Sequence, residues 1–301
     1  MSEQKTVARA LETNSYATSG SGAAGGINPT YWAKKIEEFA KANLVVAPLG
    51  VVYRDLIGNG ESFKVNFNAE ISAAALTETT VITPSAISYT TRTFTPTEYG
   101  LAVAITRKQR IRPMHDIMEE KARDMGYALA KLKDSTILTE LQNSAGNSVV
   151  ANGVEVSSVA STDVMTTSTL ADALKELRVD DYNGKYLVIH PKQENNLIKL
   201  SSFVDASVYG GREVVMNGEI GRYLGMRVFV TTLVPRNGTT STAYDAFMMD
   251  DRAFGIAEKM PITFNQDYKV LEREYIMAAV EEYDVKILQE NATCKITAYG
   301  G

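Results

Sequence analysis

Residues 116–143 read DIMEEKARDMGYALAKLKDSTILTELQN. Met118, Ala122, Met125, Leu129, Leu132, Thr136 and Leu138 step through this stretch by threes and fours. Glu119, Glu120, Lys121, Arg123, Asp124, Lys131, Lys133 and Asp134 fill the other positions. That period is the signature of a helix with one apolar stripe and solvated remaining faces. Pro113 stops the preceding strand, and Asp116 with Glu119 three residues later has capping-box spacing, with Asp in place of Ser or Thr. At 1.5 Å per residue the helix is about 42 Å long, more than twice the mean of globular proteins. About three heptads fit a coiled coil, but the stripe includes Ala and Thr, which favours one long helix lying across a sheet.

On the N-terminal side the chain reads as β. Phe63, Val65 and Phe67 alternate with Ser62, Lys64 and Asn66, the period-2 pattern of a half-buried strand. A second run, Ile87 to Thr97, is dense in Thr and carries Tyr89 and Phe94. Between them, Ala69 to Ser85 is small, Thr-rich and almost uncharged. A two-stranded ribbon of this composition has too little apolar surface to stand alone; it joins a larger sheet or lies across another molecule. Leu101, Val103 and Ile105 then alternate back into a core.

On the C-terminal side, Asn152-Gly153 is a tight-turn signal that predicts a hairpin between Val149-Val150 and Val154–Val156. Thr169–Val179 reads as a small amphipathic helix capped by Ser168, Tyr186–Ile189 as a buried strand, and Lys192–Ser201 as another helix. From Tyr244 onward the pattern is mostly β, with strands at Ala246–Met249, at Phe254–Ala257 and over Tyr275–Leu288. At the other end, residues 1–30 form a polar Ser/Thr/Gly/Ala arm too poor in apolar residues to fold alone; a neighbouring subunit would hold it. A short helix follows, with Trp32, Ile36, Phe39 and Ala40 on its apolar face.

A search for chemistry returns little. The 301 residues carry a net charge of -5, which argues against a dedicated nucleic-acid binder. Cys294 is the only cysteine, so no disulfide and no cysteine zinc site is expected. His115 and His190 lack partners at metal spacing and read as capping or surface histidines. Gly20–Gly25 spells Gly-x-Gly-x-x-Gly, but no buried strand precedes it, so it reads as linker rather than dinucleotide site. The acid pairs Glu37-Glu38, Glu119-Glu120, Asp180-Asp181, Asp250-Asp251 and Glu281-Glu282 read as solvated faces or ion-pair partners. No catalytic residue, metal or cofactor is expected. Residues 1–21 lack the apolar core of a signal peptide. The apolar run Leu44–Tyr53 is broken by Pro48 and Gly50 and is too short to span a bilayer. A soluble protein made inside the cell, without membrane contact, is the expectation.

The order of elements resembles the major capsid proteins of tailed bacteriophages, the Hong Kong-97-type fold. The most specific passage is Gly218 to Pro235, with its glycine, short loop, glycine, apolar strand and Val-Pro. Ala246–Gly255 and Tyr268–Leu288, with Arg273, Tyr275 and Asp284, are similar to the family's closing segments. The resemblance implies an α+β fold with an N-terminal arm and short helix (1–45), an extended hairpin loop (46–106), a peripheral domain with a long spine helix (107–167 and 244–301) and an axial domain (168–243). It implies a shell protein, not an enzyme, whose copies group as pentamers and hexamers. Together they would close an icosahedral shell around double-stranded DNA, touched non-specifically. The virion capsid is the expected location, assembled in the host cytoplasm with scaffold, portal and decoration proteins. No long N-terminal scaffolding segment is visible, so either a separate scaffold acts or the segment was cleaved before Met1, and Met1 favours the first. Trp32, Phe63, Phe67, Tyr89 and Phe94 become candidate inter-subunit contacts. Some members cross-link a loop lysine to an asparagine, but no motif makes Lys64 and Asn291 such a pair. An encapsulin-like nanocompartment shell is the alternative within the fold, and an α/β enzyme with an unseen site is the alternative outside it.

Overall fold

The computed structural model describes residues 36–37, 44–54, 60–68, 89–111, 117–199, 219–237 and 242–300. Along the chain lie β1 (Val51–Tyr53), β2 (Phe63–Asn68), β3 (Tyr89–Phe94), β4 (Thr97–Thr106), α1 (Arg107–Ile111), α2 (Ile117–Ser144) and β5 (Asn147–Val150). Then come α3 (Thr167–Val179), β6 (Tyr186–Ile189), α4 (Pro191–Ile198), β7 (Glu219–Tyr223), β8 (Met226–Val230), β9 (Ala243–Met249), β10 (Phe254–Lys269), β11 (Glu274–Ile287) and β12 (Thr293–Tyr299). The expected arm, Trp32, the Gly-rich motif, the segment 69–85, Pro113, His115 and Asp116 lie outside the described residues.

The long helix forms within one residue of the expected bounds at each end. Its buried row is not the expected one. Met118, Ala122, Met125 and Leu129 are buried, but Leu132 is 38 % exposed, and Lys133, Asp134, Ile137, Leu138 and Leu141 are buried instead. At 3.6 residues per turn each step of four along 125, 129, 133, 137 and 141 advances about 40° around the axis, so the buried face rotates along the helix, and the half after Ala130, which belongs to a different compact unit, buries a different face from the first half. Lys133 and Asp134 are therefore interior charges and not part of a solvated face. Glu281 departs from expectation likewise, buried on β11 by strand alternation between Ala279 and Tyr283.

The chain divides into two compact units. The first comprises 1–43, 98–130 and 261–281. Here the first half of α2 packs its stripe against Ile105 of β4, Phe264 of β10, Met277 and Ala279 of β11, and Ile36. Leu101, Val103 and Ile105 do face this core, as their alternation requires. The strand ends at Thr106 and passes directly into α1, ahead of the stop expected at Pro113. Thr106 turns the corner: its N–H donates to Gln109 Oε1 at 3.0 Å and its Oγ1 accepts from Gln109 N at 3.3 Å.

The second unit comprises 44–97, 131–260 and 282–301. Its centre is a six-stranded sheet in the order β5-β12-β9-β6-β8-β7. β9 pairs antiparallel with both β12 and β6, and all seven of its residues are buried. α3 covers β5 and β12 with Leu170, Ala173, Leu174 and Leu177. β1 adds parallel to the start of β10, Val51 opposite Gly255. This sheet joins strands from both sides of residue 243. Backbone pairing of β9 with β6 holds them together.

Two local expectations are corrected. After Asn152-Gly153, both at positive φ, the chain enters short 3-10 turns and forms no hairpin; β5 pairs in parallel with β12, and Asn152 Nδ2 donates to Asp163 Oδ1 at 2.9 Å. α3 begins two residues early because Thr166, not Ser168, is the cap, its Oγ1 accepting from Thr169 N at 3.3 Å.

Candidate inter-subunit contact site

β2 and β3 form a separate two-stranded ribbon, Phe63 opposite Phe94 and Asn68 opposite Tyr89. Strand alternation puts Phe63, Val65 and Phe67 on one face. At the base of the ribbon the rings of Tyr53, Phe63 and Phe94 sit 5.8, 5.9 and 6.3 Å apart, centre to centre, in tilted pairs. Ala257 and Leu288 complete this cluster. Tilted aromatic pairs at such separations are favourable beyond the area that they bury.

The five residues expected at subunit contacts divide accordingly. Phe94 is fully buried in its own chain. Phe63 and Phe67 are half-buried against the same cluster. Tyr89, at the far described end of the ribbon, is 59 % exposed. Trp32 lies outside the described residues. Polar bonds hold the ribbon's flank: Thr91 Oγ1 donates to Asn66 Oδ1 at 2.8 Å, Arg92 pairs with Glu290 at 2.7 Å, and Thr95 N–H donates to Asp284 at 2.7 Å. The Arg92–Glu290 pair is solvent-accessible and contributes about 1 kcal/mol at most.

Beside the ribbon, interior charges fix the chain that leads into β1. The Asp134 carboxylate accepts the backbone N–H groups of Val45 (2.8 Å), Val46 (3.2 Å) and Ala47 (3.0 Å). Burial pushes its pKa up, and the three N–H bonds offset only part of that shift. Lys133 pairs with Glu258 at 2.8 Å, which also pairs with Arg54 at 3.0 Å. Burial alone would raise the Glu258 carboxyl, but Lys133 and Arg54 together bring it below its usual value.

Sequence reasoning missed one surface. The turn between β10 and β11 presents Val270, 71 % exposed, and Leu271, 97 % exposed. An apolar pair inside the charged turn Lys269-Val270-Leu271-Glu272-Arg273 was the available signal, because turns are ordinarily polar. Arg107 N–H donates to Arg273 O at 2.9 Å, which brings the exposed cations of α1 beside this turn. Arg110 lies 4.6 Å over the Tyr275 ring.

None of this resembles a reaction centre. Among the described residues no group of three or more His, Cys, Asp or Glu side chains converges as a metal site. Burial pushes the Cys294 thiol up to about 12, so it is protonated and unreactive at neutral pH. His190 caps α4. Lys64 and Asn291 are both exposed. The acid pair Asp250-Asp251 serves as ion-pair partner to Lys185. The arrangement offers exposed apolar and charged surfaces, at the ribbon in the second unit and at the β10–β11 turn in the first.

The phage capsid protein family matches residues 89–287, well over half of the chain. No curated protein matches it in sequence. Among solved structures, the capsid of Ralstonia phage GP4 is similar at a TM-score of 0.71 and 12 % identity, over 95 % of this chain and 96 % of that one. The capsid of cyanophage Pam1 is similar at 0.67 and 14 %, over 96 % and 98 %. Mycobacterium phage Che8 gives 0.63 and 18 %, over 84 % and 90 %. At these identities the structures speak for the fold and the family match speaks for the role. The chain belongs to the phage capsid protein family: it is a viral major capsid protein of the Hong Kong-97-type fold, a structural subunit that self-assembles into the shell of a virion.

Proposed function

We propose that copies of this chain group as pentamers and hexamers and close into an icosahedral shell around packaged double-stranded DNA. Assembly takes place in the host cytoplasm with scaffold, portal and decoration proteins. Closed shells need head-to-tail contacts repeated by one chain, and each contact can be modest because later ones become intramolecular. The observation that carries this reading is the ribbon, anchored at Phe94 yet exposing Tyr89 at its far described end. Phe63, Phe67, Tyr89 and Trp32 are the residues that we assign to contacts between subunits, with Phe94 holding the base. The Val270-Leu271 turn and the neighbouring cations supply a second contact. The net charge of -5 limits attraction to the DNA phosphates and so favours release.

Electron microscopy of the purified chain tests the shell, and nuclease protection of DNA in particles from infected cells tests its content. Deleting Ala69 to Ser85 is expected to leave a folded subunit that assembles poorly. A deletion that unfolds the subunit places the ribbon in an internal sheet instead. Wild-type protein that stays dispersed as small species at high concentration overturns the shell.

A further inference from the structure

His190 is built into the start of α4. Its Nδ1 accepts the backbone N–H of Lys192 at 3.2 Å, and Gln193 Oε1 accepts the His190 N–H at 3.2 Å, closing a capping box. Gln193 is fully buried, and its Nε2 donates to Tyr244 O on β9 at 2.9 Å. The cap therefore fixes both the first turn of the helix and its attachment to the central strand of the sheet. The imidazole stacks on the Tyr244 ring at 4.0 Å and 22°. Two cations face this aromatic pair, one from each side of the chain. Lys192 comes from α4 itself, 5.7 Å from the Tyr244 ring, and Arg236 comes from the loop before β9, its Nε donating to Tyr244 Oη at 3.1 Å. Among the described residues no carboxylate pairs with His190; the acid in the first turn of the helix is Glu194.

We infer that His190 is an acid-sensitive latch: its protonation removes the acceptor for Lys192 N–H and loosens α4 from β9. Only a neutral imidazole with its proton on Nε2 can accept at Nδ1. The imidazolium puts a third positive charge beside Lys192 and Arg236, at the positive end of a helix dipole. Burial, then Lys192 and Arg236, hold the pKa of His190 below 6.5. The unfolded chain takes up its proton near 6.5 and the folded chain only at lower pH. The latch is therefore intact above 6.5, and its contribution is lost as pH falls from there toward the folded value.

Amide hydrogen exchange of the full chain between about pH 7.5 and about pH 5, corrected for intrinsic rates, tests the latch. In wild type, protection of residues 192–198 is expected to fall about tenfold relative to α3, the scale of a lost N-cap. His190→Asn, a cap that does not titrate in this range, is expected to hold that protection level, while H115N keeps the wild-type loss. His190→Ser is measured in parallel, so that the result does not hang on one variant folding. Wild-type protection independent of pH overturns the inference, as does a loss in both cap variants equal to wild type. The readout is local to α4 and is independent of whether shells form.

Discussion

β9 and β3 are strands of similar length in the same compact unit with opposite fates. Every residue of β9 is buried between β12 and β6. In β3 only Phe94 is buried, and among the described residues the strand pairs with β2 alone. β9 satisfies its backbone on both edges and its side chains on both faces within one chain. β3 satisfies one edge and anchors one end. The interior strand makes the subunit, and the ribbon leaves Tyr89 exposed among the described residues. A shell protein needs both kinds of strand, since contacts between copies must be absent from the free subunit.

The largest effect is expected at Phe247, fully buried in the middle of β9. Phe247→Ala should cost about 3–5 kcal/mol and shift the denaturant midpoint of the whole unit; a cost below about 1 kcal/mol would remove β9 from the core. Phe94 is buried just as completely, yet Phe94→Ala should act locally. It costs about 3 kcal/mol by the same cavity argument and should appear first as faster amide exchange in 63–68. Global unfolding at the scale of Phe247→Ala would mean that the ribbon and sheet are one cooperative body. Asp134→Ala orphans three backbone N–H groups and should cost about 2 kcal/mol, read as a lowered melting temperature. At the small end, Tyr89→Ser should change subunit stability by less than about 0.5 kcal/mol while lowering the yield of shells in microscopy. Unchanged assembly would relocate the contact. Smallest of all, a thiol reagent at about pH 8 should leave Cys294 unmodified until denaturant is added, because burial holds its thiol near 12.

Much of the element content was legible because periodicity is local. The helix of 117–144, the strand Tyr186–Ile189 and the alternating face of β4 all follow from side-chain spacing within a few residues. His190 was legible only as a capping or surface histidine, and the hydrogen bond from Lys192 N–H to its Nδ1 decides for the cap. The candidate contacts were legible only as a group. Phe63 and Phe67 share one alternation and Phe94 sits opposite Phe63, whereas Tyr89, an odd number of residues before Phe94, falls on the other face of its strand. The β10–β11 turn went unread because its apolar pair is short and looks like any strand end.

The sequence by itself determined the strand and helix segments, the absence of a cysteine framework and the order of elements by which the family is recognised. Tertiary structure alone decided which face of each segment is covered. Asp134 reads as a solvated charge until Val45 to Ala47, as many as 89 positions away, place their N–H groups against it. Val149-Val150 reads as half of a hairpin until β12, nearly 150 residues later, offers a longer edge. Spacing along a chain records the local backbone preference of each segment. Which distant segment it meets depends on pairing and burial, summed over the whole fold, and no window of the sequence contains that sum.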